Sequence, residues 1–283
     1  MTLCVAALGV DGNRTKVVLA ADYAVETEIA TAEIQNKFMY VGDREYPVLI
    51  AGSSSRATEL LARIADCGNT AKYKITEEAQ FMRLCREAMR RQKHVIADEY
   101  VCARLGISYD TLLESVHKSI PPETYREIVN DVTRIKLGCD LLVVFFSWAT
   151  GEPSILRLSD DGTLELCSHF AAIGSGMYIA ESSLFHREQS EITSLADAVY
   201  HVYEAMRLGS HAPGVGEKFT MGITFPGRHG QTQWDYLMPE YMQQLEKEFK
   251  KWGPRPIRSQ VLHSEFMRRL TIDRPRSKRK RKK

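Results

Sequence analysis

At 283 residues, 44% of them apolar, the chain is long enough to bury one substantial core, and one large domain with an appendage is the natural expectation. No apolar run approaches the roughly 18 residues of a membrane-spanning helix, and MTLCVAALGV lacks the basic flank of a secretory signal, so a cytoplasmic protein with no membrane partner is expected. The net charge of +2 hides an asymmetry: Arg274 to Lys283 holds eight Lys or Arg and no acid, and the remaining residues carry 30 bases against 36 acids.

The chain opens on Met1 and Thr2. Threonine is small enough for the preceding methionine to be removed, and removal leaves a hydroxyl and a free α-amine on one residue. The amine, with a pKa of roughly 8, can accept the hydroxyl proton, so no separate histidine is needed. Two apolar runs, Thr2 to Leu8 and Lys16 to Ala21, flank the turn residues GVDGNRT and predict a hairpin. Such a hairpin returns Asp22 to the start of the first strand, where Thr2 lies. After an irregular stretch, Glu33 to Val41 is a strand pattern carrying Lys37, and Pro47 to Ala51 is a buried strand ending at Gly52. In that arrangement Lys37 supplies the field that favours a deprotonated hydroxyl, Asp22 orients Lys37, and the Gly52 N–H faces an oxyanion.

Helices are expected from Arg56 to about Asp66, capped by Ser53 to Ser55, and from Thr76 to about Leu105, both on one face of a sheet. Gly106 to Lys136 combines helical patterns with Pro121 and Pro122 and reads as an insertion; His117 within it is a surface or packing residue rather than a ligand. Cys139 to Ser147 is the strongest buried-strand signal, followed by a meander of strands at Ser154 to Leu158 and Thr163 to His169 around the turn SDDG. Two acids before a glycine in a hairpin are turn formers more simply than a metal loop. AAIGSG (Ala171 to Gly176) leads into a helix from Met177 to about Glu188, a second runs from Ser194 to about Ser210, and Lys218 to Phe225 closes the sheet. Met238 to Trp252 is a charged helix, and a last helical segment reaches about Ile272.

Six cysteines are scattered without a CxxC pair, so neither a zinc site nor a disulfide framework is expected, and no metal or cofactor is implied. The tail after Arg274 suits an acidic partner, nucleic acid or an import receptor, or plain solvation; no aromatic residue interleaves its charges.

The order Thr2, LAAD ending at Asp22, Lys37, LIAG ending at Gly52, then AAIGSG and APGVG (Ala212 to Gly216), resembles a proteasome β subunit, a member of the N-terminal nucleophile hydrolases. The resemblance implies an α+β fold: a four-layer α-β-β-α sandwich of two mainly antiparallel sheets flanked by helices. It implies residues 1–236 as that domain with an insertion at 106–136, residues 237–273 as a helical extension and 274–283 as a basic tail. It further implies Thr2 as nucleophile, Asp22 and Lys37 as its support, Gly52 as oxyanion donor and Ser175 as a residue positioning the amine. The activity implied is a threonine peptidase acting on peptide or protein, within a homo-oligomer or a ring of related subunits. Where active relatives carry an Asp and a Ser near a glycine pair, this chain has Gly209 and Ala212, or Ser210 and Pro213 one residue on. An inactive ring or scaffold subunit, or a hydrolase of a non-protein amide, therefore stands as the alternative expectation.

Overall fold

The computed structural model describes residues 2–26, 31–33, 37–42, 45–70, 76–103, 106–114, 121–227 and 231–254. The chain divides into two compact units, Met1–Met242 and Gln243–Lys283. The first is α+β and is built on two antiparallel five-stranded sheets.

The first hairpin pairs β1 (Leu3–Asp11) with β2 (Arg14–Asp22), in register from Cys4 opposite Ala21 to Asp11 opposite Arg14. Its turn falls on Asp11 to Arg14, where Gly12 takes φ +61°, a backbone state that favours glycine. A short ladder joins β3 (Ala24–Glu26) to β4 (Thr31–Glu33), where one long strand through Glu33 to Val41 was expected. β5 (Phe38–Val41) and β6 (Tyr46–Gly52) form the next hairpin.

Two helices follow, α1 (Ser54–Thr70) and α2 (Glu78–Ala97), the latter continued by a π-helical turn at Asp98–Cys102. Ser53 caps α1: its hydroxyl accepts from the Arg56 N–H at 3.4 Å and its carbonyl from the Ala57 N–H at 3.0 Å. The expected insertion holds α3 (Tyr109–Glu114) and α4 (Pro122–Thr133); α4 begins on a proline at its first position and buries no side chain fully. His117 lies outside the described residues.

β7 (Cys139–Phe146), β8 (Pro153–Leu158) and β9 (Leu164–Cys167) complete one sheet in the order β5-β6-β7-β8-β9. β10 (Phe170–Gly174) leads into α5 (Met177–His186), and α6 (Leu195–Gly209) follows. α6 is capped by Ser194, whose hydroxyl accepts from the Asp197 N–H at 3.1 Å and donates to the Asp197 carboxylate at 2.6 Å. β11 (Phe219–Pro226) and β12 (Thr232–Tyr236) finish the other sheet, ordered β10-β1-β2-β11-β12. α7 (Pro239–Trp252) follows, with none of its side chains fully buried.

Alternation along β7 explains how the layers stack. Cys139, Leu141, Val143 and Phe145 pack with Leu60, Ile64, Phe81 and Met89 of α1 and α2. Leu142, Val144 and Phe146 point the other way, into a second core with Cys4, Ala6, Leu19, Ala171 and Ile173 of the opposite sheet. A strand buried on both faces reads as one continuous apolar run, which is how CDLLVVFF reads. The opposite sheet is covered in turn by α6. At Gly9 a β-carbon would lie 3.0 Å from both the Ala198 β-carbon and the Leu195 α-carbon, so this strand position accepts only glycine at the present helix–sheet spacing.

Candidate active site

The hairpin register places Leu3 beside Asp22, and the Leu3 N–H donates to Asp22 Oδ1 at 3.0 Å. Thr2, immediately before β1, therefore stands at the open end of this strand pair. Lys37 arrives from the facing sheet just ahead of β5. Its carbonyl accepts from the Ile50 N–H at 3.1 Å, and the neighbouring Phe38 ring is wedged 4.7 Å from the Trp234 ring. These anchors leave the Lys37 ammonium 2.6 Å from Asp22 Oδ1 and 2.7 Å from Thr2 Oγ1. Asp22 Oδ2 accepts from the Gly216 N–H at 2.9 Å.

All three side chains are out of water: Thr2 is 6% exposed, Lys37 5% and Asp22 0%. Burying an ammonium and a carboxylate costs several kcal/mol per ion, and it persists only where the charges meet and their remaining hydrogen-bonding capacity is filled. Here Asp22 is met by three donors and Lys37 by two oxygens. The result is a closed ring. Thr2 Oγ1 joins Lys37, Lys37 joins Asp22, Asp22 joins the Leu3 N–H, and the peptide bond returns to Thr2.

Gly52 ends β6 two residues beyond Ile50, which is bonded to Lys37, and is exposed with φ +89°. That offset is roughly 7 Å along the strand. Ser175 is exposed in the turn between β10 and α5, and among the described residues no hydrogen bond joins it to the Thr2–Asp22–Lys37 set. Its neighbour Gly174, opposite Leu3 in the sheet, is the residue in close contact: a β-carbon there would sit 2.2 Å from the Thr2 carbonyl oxygen.

No family model and no curated protein sequence matches this chain. The chemistry must therefore be read from the arrangement itself. An alcohol held by an ammonium in a nearly dry pocket is set up to carry negative charge on its oxygen. Cys4, two residues on, is not a rival nucleophile. Burial pushes its thiol well above the ordinary range, outweighing the opposite pull of Lys37, and the protonated Sγ donates to the Ile50 carbonyl at 3.4 Å.

A pocket elsewhere in the fold is lined by none of Thr2, Asp22, Lys37, Gly52 and Ser175. This cavity of about 570 Å³ is lined by Ile173, Asp140, Arg157, Asp160, Glu165 and Glu181, among others. One lining residue, Ile173, stands opposite Cys4 in the sheet. Asp140 is pushed up from the usual carboxylate range, chiefly by burial. SDDG forms the β8–β9 turn, with the Thr163 N–H donating to Asp161 Oδ1 at 2.8 Å.

Gly216 and Leu3 carry site contacts that sequence reading does not single out. The only available signal for Gly216 was its place in APGVG, a run of turn residues just before the strand that pairs with the Asp22 end of β2.

Proposed function

We propose that the chain is an N-terminal nucleophile hydrolase of the proteasome β type, a threonine peptidase whose nucleophile is Thr2 once the residue before it has been removed. The single observation that supports this is the 2.7 Å contact between the Lys37 ammonium and Thr2 Oγ1, with Lys37 tied to buried Asp22. The two facing antiparallel sheets, with helices packed on each, suit the same family fold.

In the proposed reaction the freed Thr2 amine takes the hydroxyl proton as Oγ1 attacks the substrate carbonyl carbon. Lys37 stabilises the charge on Oγ1, and the Gly52 N–H receives the oxyanion. The amine then returns the proton to the departing amide nitrogen, the C–N bond breaks, and an acyl ester remains on Thr2. Water, deprotonated by the same amine, attacks the ester; the acid product leaves and Thr2 regains its proton. Exposed apolar side chains on α5, Tyr178, Ile179 and Phe185, give surface for the ring assembly that belongs to this proposal.

A second reading, a non-catalytic scaffold subunit, is favoured by one observation. Gly209, or Ser210 one residue on, stands where the resemblance calls for an Asp, and at Gly209 the place of a side chain is already occupied by Leu3. One experiment separates the two. Protein with a mass-verified free Thr2 is treated with a peptide epoxyketone, which needs both a hydroxyl and an amine on one residue. A covalent adduct on Thr2, lost in Thr2→Ala, supports the hydrolase; an intact free Thr2 with no adduct and no peptide cleavage leaves the scaffold.

A further inference from the structure

Resting on the hydrolase reading, we infer that Leu3 is the positioning residue of the Thr2 nucleophile, and that Gly209 and Gly176 form the slot that seats it. Leu3 is wholly buried. A β-carbon on Gly209 would lie 2.3 Å from Leu3 Cδ2, and one on Gly176 would lie 3.2 Å from the same methyl and 2.9 Å from the Gly209 carbonyl oxygen. The methyl thus fills the space between the start of α5 and the end of α6, two elements that meet only because both lack a side chain there.

Leu3 is also a member of the ring around Thr2, through its N–H to Asp22 Oδ1. Its side chain and its backbone nitrogen are fixed by different parts of the fold, so the Thr2–Leu3 peptide is held from both sides. Gly174 bears on the same peptide, with the Thr2 carbonyl against its α-carbon. Leu3 is wholly enclosed, so its methyl has little room to turn aside, and a displaced Leu3 shifts Thr2 Oγ1 against Lys37, since the Leu3 N–H and the Lys37 ammonium both donate to Asp22 Oδ1. In this protein the slot at position 209 orients the amino-terminal residue by shape, without a charged side chain.

The test uses volume compensation. Gly209→Ala adds a methyl 2.3 Å from Leu3 Cδ2, whereas Leu3→Val shortens that side chain by a methylene, so the pair together restores the volume. Crystal structures and steady-state peptide hydrolysis of the wild type, Gly209→Ala, Leu3→Val and the double variant are compared. Gly209→Ala is expected to move Thr2 Oγ1 out of hydrogen-bond range of Lys37, to lower kcat at least tenfold with KM within about twofold, and to shift the acid limb of the kcat–pH profile. The double variant is expected to regain the contact and most of kcat. Leu3→Val, which keeps the strand and should fold, reads the same effects should Gly209→Ala be insoluble. A Thr2–Lys37 distance unchanged in the variants overturns the inference, as does a kcat per folded molecule that stays at the wild-type value while only the melting temperature falls. Wild-type protein with free Thr2 but no hydrolysis counts against the hydrolase reading alone, because the crystallographic distance still decides the positioning role.

Discussion

The Lys37 ammonium lies 2.7 Å from the Thr2 hydroxyl oxygen, and the same ammonium is 2.6 Å from Asp22. Replacing Lys37 by Met keeps the length of the side chain and removes the charge. Peptide hydrolysis should fall by roughly 100-fold or more, the scale on which one positioned proton-handling or charge-stabilising group contributes. The variant also leaves the buried Asp22 carboxylate without its counter-ion, held by the Leu3 and Gly216 N–H groups alone, which should cost about 3–5 kcal/mol, so hydrolysis is compared per folded molecule. Hydrolysis at the wild-type rate in Lys37→Met would remove the lysine from the mechanism. Asp22→Ala in turn strands a buried ammonium and should cost about 3–5 kcal/mol in urea unfolding.

Gly174 makes a prediction of another kind. Its φ of +90° disfavours any side chain, and a β-carbon would meet the Thr2 carbonyl oxygen at 2.2 Å. Backbone cannot yield as a side-chain tip does. Gly174→Ala should cost at least the ~1–3 kcal/mol of a strained φ, together with the displacement of Thr2. A melting temperature and an epoxyketone labelling rate both equal to the wild type would contradict it.

How far the sequence disclosed this arrangement differs from element to element. The first hairpin was legible because turn residues separate two apolar runs, and β7 because the six apolar residues Leu141 to Phe146 follow one another. β10 was not, since FAAIG is short and its small residues read as a lead into α5. β12, TQWDY, is an edge strand whose exposed polar residues hide its alternation. Glu33 to Val41 looked like one strand, yet Thr31–Glu33 pairs back with β3 and Phe38–Val41 forward with β6, two neighbouring pairings that periodicity within the stretch does not mark. α2 passes into a π-helical turn at Asp98–Cys102, and no residue in DEYVC signals the change; the expected end near Leu105 lies outside the described residues. At the site, hairpin geometry brings Asp22 to Thr2, whereas Lys37, one of many lysines, was grouped with them by the order of residues that the resemblance supplies. The Gly216 contact to Asp22 spans 194 residues and involves only a backbone N–H, which leaves no mark in composition or periodicity. The last expected helix and the basic tail lie outside the described residues.

Arg187 and Glu204 tie α5 to α6 behind the slot that seats Leu3. The guanidinium donates through Nε and Nη2 to the two oxygens of Glu204 at 2.8 and 2.7 Å, and Glu204 is only 1% exposed. Arg187→Ala leaves the carboxylate with Tyr200 and Ser183 alone, which should cost about 2–3 kcal/mol, below the fully buried case because Arg187 is partly in water. Arg187→Lys should recover little, since an ammonium cannot reproduce the two parallel bonds. Equal unfolding midpoints for the Lys variant and the wild type would contradict the bidentate role.

His201 supplies a pH dependence whose sign follows from its surroundings. Burial is the largest influence and holds its pKa below the ordinary histidine value, while Nδ1 lies 2.9 Å from Gln189 Oε1. Gln189 in turn donates to the Leu8 carbonyl at 2.7 Å, so the histidine braces α6 against β1. The facing charged groups are Asp197 and Glu204, which raise the pKa, and Arg187, which lowers it. Because the folded pKa is the lower one, the unfolded chain binds the proton first. The stabilisation contributed by neutral His201 is therefore complete above the unfolded pKa of roughly 6.5 and is lost as the pH falls toward the folded value. His201→Asn keeps a donor near the Nδ1 position without the titration. Urea midpoints taken between pH 7.5 and 5 should fall more steeply for the wild type than for His201→Asn, and parallel curves would show that this histidine does not titrate differently in the two states.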